Sequence, residues 1–155
     1  MPRFPIVSCD AVPRDQVDAF DAIVFSRGGV VPEFGPVAVQ LHVPEIAQRG
    51  EMLRAYLRAE GSTLPDNVSE LAMITTAREL DCQFIWHAHA AAGRRAGLSN
   101  ALVDALRDKQ ELPPLSPAES AVINYGREFF RTRRVSQATF DAALAEFGSR
   151  GFVEL

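Results

Sequence analysis

Three side chains near the middle of this 155-residue chain have the chemistry for proton or thiol transfer: Glu70, Cys82 and His89. At 100° per residue, Glu70, Met73, Ile74, Ala77 and Leu80 fall on one helical arc. A carboxylate therefore lies on an apolar face. Cys82, Ile85, Trp86, His89 and Gly93 share a second arc of roughly 100°. If these two helices form an antiparallel hairpin turning near Leu80 and Asp81, Glu70 and His89 are nearly equidistant from the turn and should meet. A buried carboxylate or imidazole without a partner is costly. As a pair, Glu70 would fix the tautomer of His89, and His89 would serve as a general acid or base near neutral pH. Gly93 and Ala96 would let another helix approach closely.

Each residue also has a plainer reading. Glu70 could be the third member of a capping box begun by Asn67. His89 could be a satisfied core histidine. Cys82 could be a small buried apolar residue, and Trp86 core or interface packing. Arg78 and the Arg94-Arg95 pair read as solvated charge, although one of them could meet a substrate carboxylate. His87 points away from the arc, and the runs 104–111 and 131–134 read as solvated faces.

The elements that must position these groups are helices. Residues 14–27 read as the first, ended by Gly28-Gly29, with a loop over 28–36 and a short helix over 37–42. Pro44 suits the first position of a helix to about residue 60, because its missing N–H had no partner there. Residues 61–65 break the chain. Helices over 66–80 and 82–96 form the central pair, the second closed by Gly97. Ser99 caps a helix to about residue 109. Ser116-Pro117-Ala118-Glu119 is a capping box with proline at the first helical position, opening a helix to about residue 133. Ser136 opens a last helix to Phe147, closed by Gly148 and Gly151. Residues 151–155 look like the start of an apolar helix that stops short, or that a partner subunit covers. Strand-like alternation is nearly absent, so the fold class is all-α, with residues 1–155 as one domain.

Composition narrows the function classes. The chain is 47% hydrophobic and 23% charged, with 16 basic and 20 acidic residues, as expected of a soluble globular domain. The formal net charge of -4 argues against nucleic acid as a partner. No apolar run approaches the roughly 18 residues of a membrane span. Cys9 and Cys82 form neither a disulfide framework nor a CxxC motif. With no export signal visible, a cytoplasmic location is expected.

The stretch from Ser69 to Leu80, then Cys82-Gln83-Phe84-Ile85-Trp86-His87-Ala88-His89, then Arg95-Ala96-Gly97-Leu98-Ser99, resembles the carboxymuconolactone decarboxylase family, which includes the alkylhydroperoxidase D type proteins. The core of the resemblance covers residues 64–99. The helix beginning Pro44-Glu45-Ile46-Ala47 and the Ser116-Pro117-Ala118-Glu119 start look like one branch of it. The resemblance implies a helical fold with a central antiparallel hairpin, assembled as a homo-oligomer, commonly a trimer or hexamer. It also implies one of two chemistries: cofactor-free decarboxylation of a small carboxylated lactone, or thiol-dependent peroxide reduction by a CxxC pair with a Glu–His proton relay. Glu70 and His89 match the outer relay members, and Cys82 the first cysteine. Ile85 stands where the second cysteine would be, and Phe84 where a relay histidine would be. The nearest branch often reads Tyr-Glu-Trp where this chain has Phe84-Ile85-Trp86, so position 85 also lacks that branch's acid. Cys82 precedes His89 by about two turns, roughly 10 Å along a helix axis.

Three functions are therefore expected, in order. The first is acid–base chemistry of a lyase type on a small carboxylated substrate. Here His89 is the acid or base, Glu70 orients it, and Cys82, Trp86, Phe84, Ile85 and Arg78 surround the substrate. No cofactor or metal is invoked. The second is a one-cysteine peroxidase using Cys82 and an external thiol. The third is a non-catalytic helical oligomer binding a small apolar ligand.

Overall fold

The computed structural model describes residues 3–58 and 61–155. Among them the chain forms eight α-helices and two 3-10 turns, with no strand. The all-α expectation holds. The chain divides into two compact units, Met1–Ala59 and Glu60–Leu155.

The first unit holds 3-10 turns at Cys9–Ala11 and Arg14–Gln16, then α1 (Val17–Ser26), α2 (Pro36–Gln40) and α3 (Pro44–Arg58). The helix predicted from Arg14 begins instead as a 3-10 turn over Arg14–Gln16, and the α-helix starts at Val17. Gly28 and Gly29, at φ 68° and 84°, end it in the left-handed conformation glycine adopts without strain. Phe20, Ile23, Val37, Leu41 and Ala47 make its core. The predicted end of α3 near residue 60 lies outside the described residues.

The second unit holds α4 (Asp66–Glu79), α5 (Gln83–Arg95), α6 (Asn100–Asp108), α7 (Pro117–Thr132) and α8 (Gln137–Glu154). Helix α4 packs against both α5 and α7, so it is the central rod. Leu71, Ile74, Leu102, Val103, Leu106 and Ile123 form the center of its core. The α4–α5 hairpin turns on Asp81, whose φ is 49°, and the Cys82 N–H donates to the Ala77 carbonyl at 2.8 Å. The capping box forms as expected. The Ser116 N–H donates to Glu119 Oε2 at 2.8 Å, and the Glu119 N–H to Ser116 Oγ at 3.2 Å. Ser99 and Ser136 cap α6 and α8 through Leu102 and Thr139.

The last helix corrects one reading. Gly148 does break the helical path, at φ 65° and ψ 174°, but helix resumes and runs through Gly151 to Glu154. Gly151 is a packing residue rather than a terminator: a Cβ there would lie 3.1 Å from Phe147 Cβ and 3.3 Å from Leu64 Cδ2. The segment after the kink docks on its own unit. Phe152 packs edge-on to Tyr125 and Phe140, at 5.2 and 4.9 Å between ring centroids. The buried Glu154 carboxylate accepts from the Thr63 N–H at 2.6 Å and from the Thr63 and Ser62 hydroxyls.

Candidate active site

Pro65 is the N-cap of α4, which places Glu70 in the second turn. It is therefore not the third residue of a capping box, and Asn67 accepts only from the adjacent Val68 N–H, at 3.0 Å. The Glu70 carboxylate goes to the neighbouring helix. Glu70 Oε2 and His89 Nδ1 are 2.8 Å apart. His89 is 8% exposed, one of the buried residues of α5 together with Ala90 and Gly93. An ionised carboxylate only accepts hydrogen bonds, so Nδ1 is the donor. Neutral His89 then carries its lone pair on Nε2, the tautomer a general base needs.

Close helix approach makes this pairing possible. A Cβ built on Gly93 would lie 3.6 Å from Glu70 Cβ and 2.8 Å from Leu98 Cδ1. Leu98 is held there by the end of α5. Gly97 adopts φ 105°, its N–H donates to the Arg94 carbonyl at 3.1 Å, and the Leu98 N–H donates to the Gly93 carbonyl at 2.9 Å. This is a Schellman closure, the glycine stop that Gly97 predicts.

The other expected residues spread along α5 and the hairpin. Cys82 is the N-cap of α5 rather than a residue of its helical arc; it is half-buried and its side chain makes no capping bond. Trp86 is partly buried against the core, Ile85 is half-buried, and Phe84 is 50% exposed. Met73 and Leu80, assigned to the apolar arc of α4, are exposed, at 38% and 60%. The buried stripe of α4 instead runs through Val68, Leu71, Ile74, Thr75 and Ala77, so Glu70 sits at its edge. Arg78 lies about 12 Å further along α4 at 1.5 Å per residue. There its guanidinium pairs with Asp81 across 3.5 Å. Arg94 links α5 to α6 through Asn100 and Asp104, at 2.9 and 2.8 Å. Arg95 and His87 are exposed.

Two features escaped the residue pattern. Glu79, at the end of α4, accepts two bonds of 2.7 Å from Arg131 of α7, with Arg127 at 3.6 Å. The hydrogen bonds from Arg131 hold the Glu79 carboxyl below the usual carboxylate range despite its partial burial. Neither partner stands out in sequence, since each reads as ordinary surface charge. Gly126 of α7 lets that helix press on α4: a Cβ there would lie 3.0 Å from Thr75 Cγ2. A glycine inside a helix signals close approach but does not say to what. Among the described residues, no group of three or more His, Cys, Asp or Glu gathers where it could hold a metal ion. No helix of the described residues is long and apolar enough to cross a membrane.

A family model described as the carboxymuconolactone decarboxylase family matches residues 44–128, more than half of the chain, including the whole α4–α5 hairpin. No curated protein matches the chain.

Proposed function

Because the chain belongs to the carboxymuconolactone decarboxylase family, we propose that it carries out cofactor-free acid–base chemistry of a lyase type on a small carboxylated substrate. The observation supporting this reading is the buried Glu70–His89 hydrogen bond of 2.8 Å. Loss of CO2 breaks the bond between a substrate carbon and its carboxyl carbon, leaving the electron pair on the substrate. That pair needs a proton. His89, as its imidazolium, supplies it from Nε2, and Glu70 stabilises the charged ring and holds its orientation. Half-buried Ile85 and Trp86, on the same helix, offer apolar contacts to the substrate carbon skeleton, as Phe84 does from its exposed position. Arg78 is paired with Asp81, so it is a weaker choice for the substrate carboxylate than the sequence alone suggested.

The test is turnover of a panel of small carboxylated lactones, followed by CO2 release. His89→Ala is expected to lower kcat on any hit by roughly 10²–10⁴-fold, the usual worth of a positioned proton donor. Glu70→Gln should lower kcat with little change in KM, since it acts through His89. Unchanged turnover in His89→Ala would end this reading.

The thiol reading keeps one supporting observation. Cys82 begins the helix that carries His89. Its thiolate would attack the O–O bond of a hydroperoxide, giving a sulfenic acid and an alcohol, and an external thiol would then reduce the sulfenic acid. Peroxide consumption that is equally fast in Cys82→Ser would exclude it. If both assays are silent, the non-catalytic ligand-binding oligomer is the reading that stands. All three take the chain as one cytoplasmic domain that forms a trimer or hexamer.

A further inference from the structure

The chain enters α4 without a local cap. Pro65 is the N-cap and makes no side-chain cap bond, although the first N–H groups of a helix need acceptors. Pro65 and Asp66 are exposed, and Val68 is the first buried residue of the helix. In an α-helix the Glu70 N–H donates to the Asp66 carbonyl. The residue that faces His89 therefore takes its backbone support from an exposed, uncapped turn. The hold on that turn comes from α8, 91 residues further along the chain. Glu154 Oε2 accepts from the Thr63 N–H at 2.6 Å, the Thr63 hydroxyl at 2.8 Å and the Ser62 hydroxyl at 3.2 Å. Glu154 Oε1 accepts from Arg150 Nε at 3.0 Å, and the Glu154 side chain is 5% exposed. Ser62 Oγ also accepts from the Leu64 N–H at 3.1 Å, which carries the connection up to Pro65. Gly151 allows the close approach: a Cβ there would lie 3.3 Å from Leu64 Cδ2 and 3.4 Å from Thr63 Oγ1. Hydrogen bonds to an ionised carboxylate are roughly twice as strong as neutral ones, so this is a firm anchor.

We propose that Glu154 is a positioning residue for Glu70: it holds the chain entering α4 in place of a local cap, and through that hold keeps the Glu70 carboxylate on His89. This rests on the reading of Glu70 as the group that orients His89. Glu154 touches neither member of the pair. It acts through Thr63 and Ser62 on the start of α4, and the start of α4 carries the Asp66 carbonyl that supports Glu70. When the anchor is lost, the uncapped turn frays, the Glu70 backbone loses its helical bond, and the carboxylate leaves Nδ1 for part of the time.

NMR of the full chain tests this through two signals: the His89 Nδ1–H proton, which reports the bond to Glu70, and amide exchange over residues 66–70. Glu154→Gln is expected to broaden or remove the first and to speed the second about tenfold, with α6 amides unchanged. On any substrate the parent turns over, kcat should fall roughly three- to tenfold at constant KM, the weight of about one helix cap. Pro65→Ser places a hydroxyl where a local cap belongs. Added to Glu154→Gln, it should restore the Nδ1–H signal and slow the exchange, although it touches nothing on α8. A Glu154→Gln protein with a lowered Tm but the parent's Nδ1–H signal would overturn the proposal, since Glu154 would then serve the fold alone. A lost signal that Pro65→Ser does not restore would overturn the route through the start of α4. If Glu154→Gln does not fold, Ser62→Ala with Thr63→Val removes the two hydroxyl donors, and the same two signals decide. Neither signal needs turnover, so a silent lyase assay leaves this test intact, and failure here leaves the lyase reading to its own assay.

Discussion

The Glu70–His89 pair depends on a residue that does no chemistry. Gly93 sits where a side chain would press on Leu98 at 2.8 Å and touch the Glu70 stem at 3.6 Å. The first contact is with the tip of a leucine, which can turn, so Gly93→Ala should fold at a cost of about 1–3 kcal/mol. The second bears on the reacting pair. The expected result is a lowered Tm together with a fall in kcat larger than the stability loss explains, measured by calorimetry and by turnover of the hit substrate. Equal activity would mean that the helix spacing tolerates an extra methyl. At this scale the pairing of Glu70 with His89 was readable from spacing, because the two residues lie equally far from a tight turn. The position of Cys82 was not. Whether a residue is the last of a turn or the first of a helix is decided by its backbone angles, here φ -86° and ψ 90°.

At the scale of elements, caps and charge pairs fix how α4 and α7 meet. Glu79 is only 11% exposed at its side chain and accepts both bonds from Arg131. Its carboxyl titrates below the ordinary range in the folded protein, chiefly through those bonds. A carboxyl depressed on folding adds stability above its unfolded pKa and loses it as the pH falls through the folded value. Glu79→Gln should therefore lower Tm at neutral pH, by about 1–3 kcal/mol of stability. The gap to the parent should close as the pH is lowered below about 4, near the reference value for glutamate. A gap that persists undiminished in acid would show that lost packing, not lost charge, causes the effect. Helix ends were the most legible feature of this scale. Ser116, Ser136 and Gly97 act through local bonds that any sequence of that pattern can make. Gly148 and Gly151 look alike in sequence, yet one kinks α8 and the other packs against Leu64. Only the neighbour decides between those roles.

For the molecule as a whole, much apolar surface remains uncovered. Phe25, Phe34, Met52 and Leu53 of the first unit are all more than 60% exposed, as is Val153 of the second. Apolar groups exposed singly are ordinary on a protein surface, so the proposed homo-oligomer is decided by mass and not by these exposures. Sedimentation equilibrium should give a trimer or hexamer mass, and Met52→Glu with Leu53→Glu should reduce it. A parent chain that sediments as a monomer at micromolar concentration would remove the oligomer from the proposed function.

Read alone, the residues determined that the chain is helical, where most helices start and stop, and that a carboxylate and an imidazole lie at one level of a hairpin. These follow from interactions spanning a few residues, or from a single tight connection. The tertiary structure decided what faces what. Arg78 turns to Asp81, Arg131 to Glu79 and the Thr75 methyl to Gly126, while the segment after Gly148 folds back beside Tyr125. These choices depend on helices brought together from distant parts of the chain. Burial and pairing there are settled by packing among all of them, which periodicity along one helix does not encode.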